Sequence, residues 1–124
     1  MTQKSILGLS VITGGASGIG EACARELARR GTSVVIADIN PRGKEIAESI
    51  GGYFYSIDVT QDEEVNEAAA SIEKDLGPVR NLINCAGIIQ QPLPPQALLM
   101  EVWDNIVRVD QRGTYLTSVA FSKY

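Results

Sequence analysis

Short apolar runs of strand length alternate along the chain with segments whose apolar residues recur at helical spacing. Turn-forming residues stand at nearly every junction, which is the pattern of a parallel βαβ sheet. The first run, residues 7–13, is rich in β-formers and leads directly into Gly14. From Gly18 onward Ile19, Ala22, Cys23 and Leu27 predict a helix, which Arg29, Arg30 and Gly31 close with cations in the last turn and a glycine stop. Ser33 to Ala37 is nearly all apolar, as expected of a strand covered on both faces, and it ends at Asp38. Asn40 then caps a helix with Pro41 in its first turn, a stripe of Ile46, Ala47 and Ile50, and Gly51-Gly52 as its end. A third strand, Tyr53 to Ile57, runs into Asp58-Val59. Thr60 and Glu63 have capping-box spacing before a helix facing inward through Val65, Ala68, Ala69, Ile72 and Leu76, which Gly77-Pro78 breaks. Asn81 to Asn84 is the fourth strand.

Beyond Gly87 a proline-rich stretch, residues 90–95, predicts an extended surface loop without helix or strand. From Gln96 the pattern is helical, a short piece and then a long one carrying Trp103, Ile106, Val107, Val109, Leu116 and Val119. Right-handed crossovers would set the four strands in the order 3-2-1-4. The expected fold class is therefore α/β: a Rossmann-like, doubly wound parallel sheet in three αβα layers, partial, and a single domain over residues 1–124.

Composition narrows the chemistry. The chain contains no histidine, so Ser-His-Asp and Cys-His catalysis and histidine-ligated metals are excluded within it. Its two cysteines, Cys23 and Cys85, cannot form a four-thiolate zinc site; no metal is expected, and both thiols read as packing residues rather than redox groups. A net charge of −4 with scattered acidic residues argues against a nucleic-acid partner, which needs a basic face. No apolar run is long enough to span a bilayer, and free thiols suit a reducing compartment, so a cytoplasmic location is expected.

The string Thr13-Gly14-Gly15-Ala16-Ser17-Gly18-Ile19-Gly20 falls where a strand meets a helix N-terminus. Backbone N–H groups there are unpaired and partly positive, and glycines at 14, 18 and 20 let a pyrophosphate approach the main chain. The spacing Gly-x-x-x-Gly-x-Gly differs from the common Gly-x-Gly-x-x-Gly, so the string alone could be a flexible turn; its strand-helix context and the downstream Asp38 favour a phosphate site. Asp38 ends the second strand, where its carboxylate can accept hydrogen bonds from ribose hydroxyls and would repel a 2′-phosphate. Neither Ala16 nor Ile39 is basic, so NAD is expected in preference to NADP.

Four motifs in order, Thr13 to Gly20, Asp38, Asp58-Val59 and Asn84-Cys85-Ala86-Gly87, make the chain similar to the cofactor-binding half of the short-chain dehydrogenase/reductase family. The resemblance implies a nicotinamide cofactor, hydride transfer between it and a small alcohol or ketone, and a cofactor site built from Gly14, Ser17, Gly18, Ile19, Gly20, Asp38, Ile39, Asp58, Val59, Asn84, Ala86 and Gly87. Asp58 would accept a hydrogen bond from the adenine amino group. Asn84, Ala86 and Gly87 would line the cleft beside the first strand, and Ser17 and Ile19 would stand around the pyrophosphate and nicotinamide ends.

Three departures accompany the resemblance. Cys85 replaces the second Asn of the family's Asn-Asn-Ala-Gly. Asp110, in Val109-Asp110-Gln111-Arg112-Gly113, stands where the family has an Asn that holds a relay water, which makes it the one catalytic candidate in the chain. The family's Tyr-x-x-x-Lys proton-transfer pair is absent: the lysines are Lys4, Lys44, Lys74 and Lys123, and none follows a tyrosine by four positions. The chain accordingly reads as truncated before the catalytic segment and inactive by itself. A non-catalytic dinucleotide-binding module is the alternative, and a Rossmann-like methyltransferase is a distant third. An uncovered fourth strand and surplus apolar residues from Trp103 to Val119 predict self-association, most naturally as a homo-oligomer.

Overall fold

The computed structural model describes residues 8–89 and 92–123. The start of the first expected strand and Gln90-Gln91 of the proline-rich loop lie outside these residues. Four strands, β1 (Leu9–Thr13), β2 (Val34–Asp38), β3 (Tyr53–Ser56) and β4 (Val79–Asn84), form one parallel sheet in the order β3-β2-β1-β4. The connections are helical: α1 (Gly18–Arg29), α2 (Arg42–Ile50) and α3 (Asp62–Leu76), followed by a 3₁₀ turn (Pro95–Ala97), α4 (Met100–Val107), a π-helical segment (Arg108–Gly113) and α5 (Thr114–Ser122).

Side chains alternate across the central strands, and each set enters a different core. Leu9, Val11, Val35 and Ala37 pack with Val65, Ala69 and Ile72 of α3 and Ala120 and Phe121 of α5. Ile12, Val34 and Ile36 face the other way, onto Ala24 of α1 and Ile46 and Ala47 of α2. These two clusters make the three αβα layers, and every residue of β1 is buried in them.

Several local expectations change. Ile19 and Ala22 do not face the core; α1 buries Gly20 and Ala24, while Ile19 is 78 % exposed. The Thr60–Glu63 capping box does not form, because Asp58 competes for the threonine: its Oδ1 accepts the Thr60 hydroxyl at 2.7 Å and the Thr60 N–H at 3.0 Å. Gln61 becomes the N-cap, and Glu64, not Glu63, reaches back to accept the Asp58 N–H at 2.8 Å. The N-cap of α2 is Pro41 and not Asn40, whose side chain just ahead of the helix accepts the Arg42 N–H at 2.9 Å. The proline-rich stretch is not wholly extended, since Pro95 opens a 3₁₀ turn, where its lack of an N–H costs nothing. The long terminal helix is divided by the π-helical segment, and α5 buries Thr117, Ala120 and Phe121 in place of Leu116 and Val119.

Candidate functional site

The C-terminal ends of all four strands open into one cavity of about 790 Å³. In a parallel sheet whose order reverses beside β1, this is where the crossover loops diverge and leave a crevice. Its walls carry eleven of the twelve cofactor residues named from sequence: Gly14, Ser17, Gly18, Ile19, Gly20, Asp38, Ile39, Asp58, Val59, Ala86 and Gly87.

The β1–α1 turn forms the floor. Gly14 has φ +70°, and a Cβ there would lie 2.6 Å from the Ala86 nitrogen; a Cβ at Gly20 would lie 2.2 Å from the Gly14 carbonyl oxygen. Only glycine lets the turn, the start of α1 and the Cys85-Ala86 backbone close on one another so tightly. Ser17 is the N-cap of α1 but makes no side-chain cap hydrogen bond, and the first intrahelical bond runs from the Glu21 N–H to the Ser17 carbonyl at 3.1 Å. The N–H groups of the first turn precede that ladder and have no helical acceptor, which is the geometry of an anion cradle.

Asp38 is held at both oxygens. Oδ2 accepts the Ala16 N–H and Oδ1 the Asn40 N–H, each at 2.9 Å. Two backbone donors fix the carboxylate at the cavity's edge and tie the end of β2 to the glycine turn. Arg42 adds a contact that sequence reasoning missed: its Nη1 donates to the Ala16 carbonyl at 2.5 Å and to Glu21 Oε1 at 2.8 Å. The guanidinium of Arg42, with Arg25 second, holds the Glu21 carboxyl below its ordinary range. Residue type and distance along the chain gave no signal for this, because Arg42 reaches across 26 positions from a different helix.

Asn84 is not among the cavity-lining residues; its carboxamide is engaged by α5, with Oδ1 accepting the Thr117 hydroxyl at 2.7 Å and Nδ2 donating to Ser118 Oγ at 3.3 Å. Thr13, fully buried, accepts the Cys85 and Ala86 N–H groups on Oγ1, both at 3.2 Å. Two threonines and one asparagine thus lock the end of β4 between β1 and α5. Thr13 was legible as the end of a buried strand, but neither the burial of Thr117 nor the partnership of both threonines with Asn84 was.

Asp110 sits in the π-helical segment, an irregularity often found at functional sites. Its Oδ1 accepts the Ile88 N–H at 2.8 Å, and its main-chain carbonyl accepts the Thr114 hydroxyl at 2.9 Å. The side chain therefore anchors the loop after Gly87 and is not itself among the cavity-lining residues. Asn105, Arg108 and Val109 of the same region do line it, and none was singled out as a site residue from sequence. No group of three or more Cys, Asp or Glu side chains suited to a metal exists among the described residues. Nor, among them, is any helix long and apolar enough to cross a membrane.

A parallel sheet in this order, helices on both faces and a glycine cradle beside a fixed acidic residue define a Rossmann-type nucleotide fold. A family model described as short chain dehydrogenase matches residues 9–124, and the chain belongs to that family. Across its whole length it is 35 % identical to 2,3-dihydro-2,3-dihydroxybenzoate dehydrogenase of Bacillus subtilis, covering 50 % of that protein. It is 33 % identical, again over its whole length, to 5-keto-D-gluconate 5-reductase of Escherichia coli, covering 49 % of it. The chain thus spans about half the length of the curated relatives it matches. Among solved structures, a Brucella melitensis protein described as ribose-5-phosphate isomerase superposes with a TM-score of 0.91 at 38 % identity, over 99 % of this chain and 48 % of the other. That description concerns the Brucella protein; shared fold does not carry an activity across.

Proposed function

We propose that this chain is the NAD-holding part of an oxidoreductase that interconverts a small alcohol and its ketone or aldehyde. The observation that carries the reading is Asp38: a carboxylate fixed by two backbone N–H groups, at the rim of a cavity floored by a glycine turn and an open helix N-terminus. The residues fit a dinucleotide. The first-turn amides of α1 would hold the pyrophosphate, Asp38 the adenosine ribose, and Asp58 and Val59 the adenine side. Ile19 and Ile39, 78 % and 67 % exposed at the mouth, would cover flat rings and lose their contact with water. The nicotinamide group supplies hydride transfer; the chain's own residues bind and orient it.

Discrimination follows from charge. A free ribose diol donates to Asp38, whereas a 2′-phosphate meets a carboxylate whose oxygens already accept two N–H groups. Arg42 is the nearby cation, and it is engaged by Glu21 and the Ala16 carbonyl. NADH should bind more tightly than NADPH, and Asp38→Ser should narrow the gap. Fluorescence titration at fixed salt tests this: equal affinities in the unsubstituted chain would remove Asp38 from the ribose role.

The proton-transfer pair is absent from the 124 residues, and general acid–base help is worth about two to four orders of magnitude in rate. The chain alone should therefore bind NADH without turning over alcohols or ketones, and steady NADH consumption by the pure chain would show the catalytic groups to be misplaced. The second reading, a dinucleotide-binding module with no reaction of its own, draws on that same absence. It makes the same binding prediction, and it would be favoured if the protein from which the chain derives also fails to turn over. In the oxidoreductase reading the protein acts in the cytoplasm as a homo-oligomer.

A further inference from the structure

We propose that Cys23 and Cys85 form a reversible dithiol–disulfide pair where α1 packs against the cavity wall at Cys85. Cys85 lies on the loop that leaves β4 and lines the cavity, and Cys23 lies on α1, one turn beyond Gly20. The glycine brings them together. A Cβ built at Gly20 would stand 3.2 Å from the Cβ of Cys85, so no side chain separates this part of α1 from residue 85. Both cysteines are free, half-buried and packed against the same cluster of Ile12, Ala16 and Ala24. Burial pushes the Cys85 thiol up from its ordinary range, and the Cys23 thiol acts in the same direction through its charge and as a hydrogen-bond partner. Residue 85 therefore packs against the face of α1 that carries Cys23 one turn beyond Gly20, and the chain contains no third cysteine to compete.

The backbone at residue 85 is anchored. Its N–H donates to the Thr13 carbonyl at 3.0 Å, and its carbonyl abuts Gly14. Closure of the pair must come from rotation about the two Cα–Cβ bonds, with the strand end staying in place. The oxidant would be a hydroperoxide. One thiolate attacks the peroxide oxygen; the O–O bond breaks, releasing water or an alcohol and leaving a sulfenic acid. The second thiol attacks that sulfur, the S–O bond breaks, and water leaves as the S–S bond forms. In total two thiols lose two electrons and two protons, and the peroxide gains them.

The test uses the full, reduced chain treated with a small excess of hydrogen peroxide in native buffer, then alkylated and weighed. The expected product has lost the mass of two hydrogens and resists alkylation at both thiols. It yields one linked peptide joining Cys23 to Cys85, and dithiothreitol restores it. Linked product, as a share of all oxidised product, should be independent of protein concentration and should fall several-fold in urea, where the fold no longer holds the second thiol near the sulfenic acid. Cys85→Ser should divert the same treatment to an oxygen adduct on Cys23 or to disulfide-linked dimers. Oxygen adducts on the unsubstituted chain without a link, a link formed only between chains, or an equal share of linked product in native buffer and urea would each overturn the pair.

Discussion

Strands β1 and β4 lie side by side in one sheet and live in different surroundings. All five residues of β1 are buried, between helices on both faces, while β4 has none buried and exposes Arg80 and Asn81 at the sheet's edge. The contrast extends outward. Of the large apolar side chains that are exposed among the described residues, all but Ile19, Ile39 and Tyr53 lie after β4, among them Leu99, Met100, Trp103 and Tyr115, and α4 buries no residue. The part around β1 and β2 has the double-sided cover that a parallel sheet requires, and the part beyond β4 has an apolar surplus without a facing layer. Stability and the phosphate cradle reside in the first part; the second places Asn105, Arg108 and Val109 around the cavity with few buried contacts to hold them.

The sharpest test of this contrast is one kind of truncation in both parts. Ile36 is fully buried, so Ile36→Ala should cost about 2–5 kcal/mol, the range for emptying a packed aliphatic site. Trp103, 54 % exposed, should cost no more than about 0.5 kcal/mol when changed to Ala. Urea unfolding at low concentration measures both. In sedimentation over a concentration series, Trp103→Ala should also weaken self-association. Equal losses of stability would mean that the second part is as well packed as the first.

A smaller effect should come from the joint between the two parts. Thr117→Val keeps the shape of the buried side chain but removes the nearer donor to Asn84 Oδ1, leaving that half-buried acceptor only the Thr13 hydroxyl at 3.5 Å, at a cost of about 1–3 kcal/mol. NADH affinity should fall with it if the end of β4 loosens. Loss of stability without any change in NADH affinity would show the latch to be structural alone.

The smallest effect is electrostatic and lies on the outer face of α1. The Arg29 and Arg30 guanidinium groups hold the Glu26 carboxyl down at about 2, from an ordinary 4.5. A carboxyl lowered on folding contributes stability that is present above 4.5 and disappears as pH falls toward 2. Glu26 is at the surface, so solvent and salt screen the gain. Glu26→Gln should slightly flatten the acid limb of urea-midpoint against pH and leave the plateau at neutral pH nearly unchanged. A large drop at pH 7 would contradict a screened surface pair.

What sequence could show was whatever depends on near neighbours. Strand and helix alternation, the strand order, the glycine turn and Asp38 at the end of β2 are all written in short-range period, turn chemistry and spacing, because a parallel βαβ fold repeats a local unit with a fixed crossover hand. Tertiary structure alone decided what depends on which side chains meet. Asn84 is engaged by α5 and β1 because Thr117 and Thr13 offer it partners from 33 and 71 positions away. Arg42 crosses to the glycine turn for the same kind of reason, and α1 comes close to Cys85 only because it lies bare of a side chain at Gly20. Hydrogen bonds and thiol contacts act over a few ångströms, so their partners are set by the packed fold and leave no trace in the order of residues.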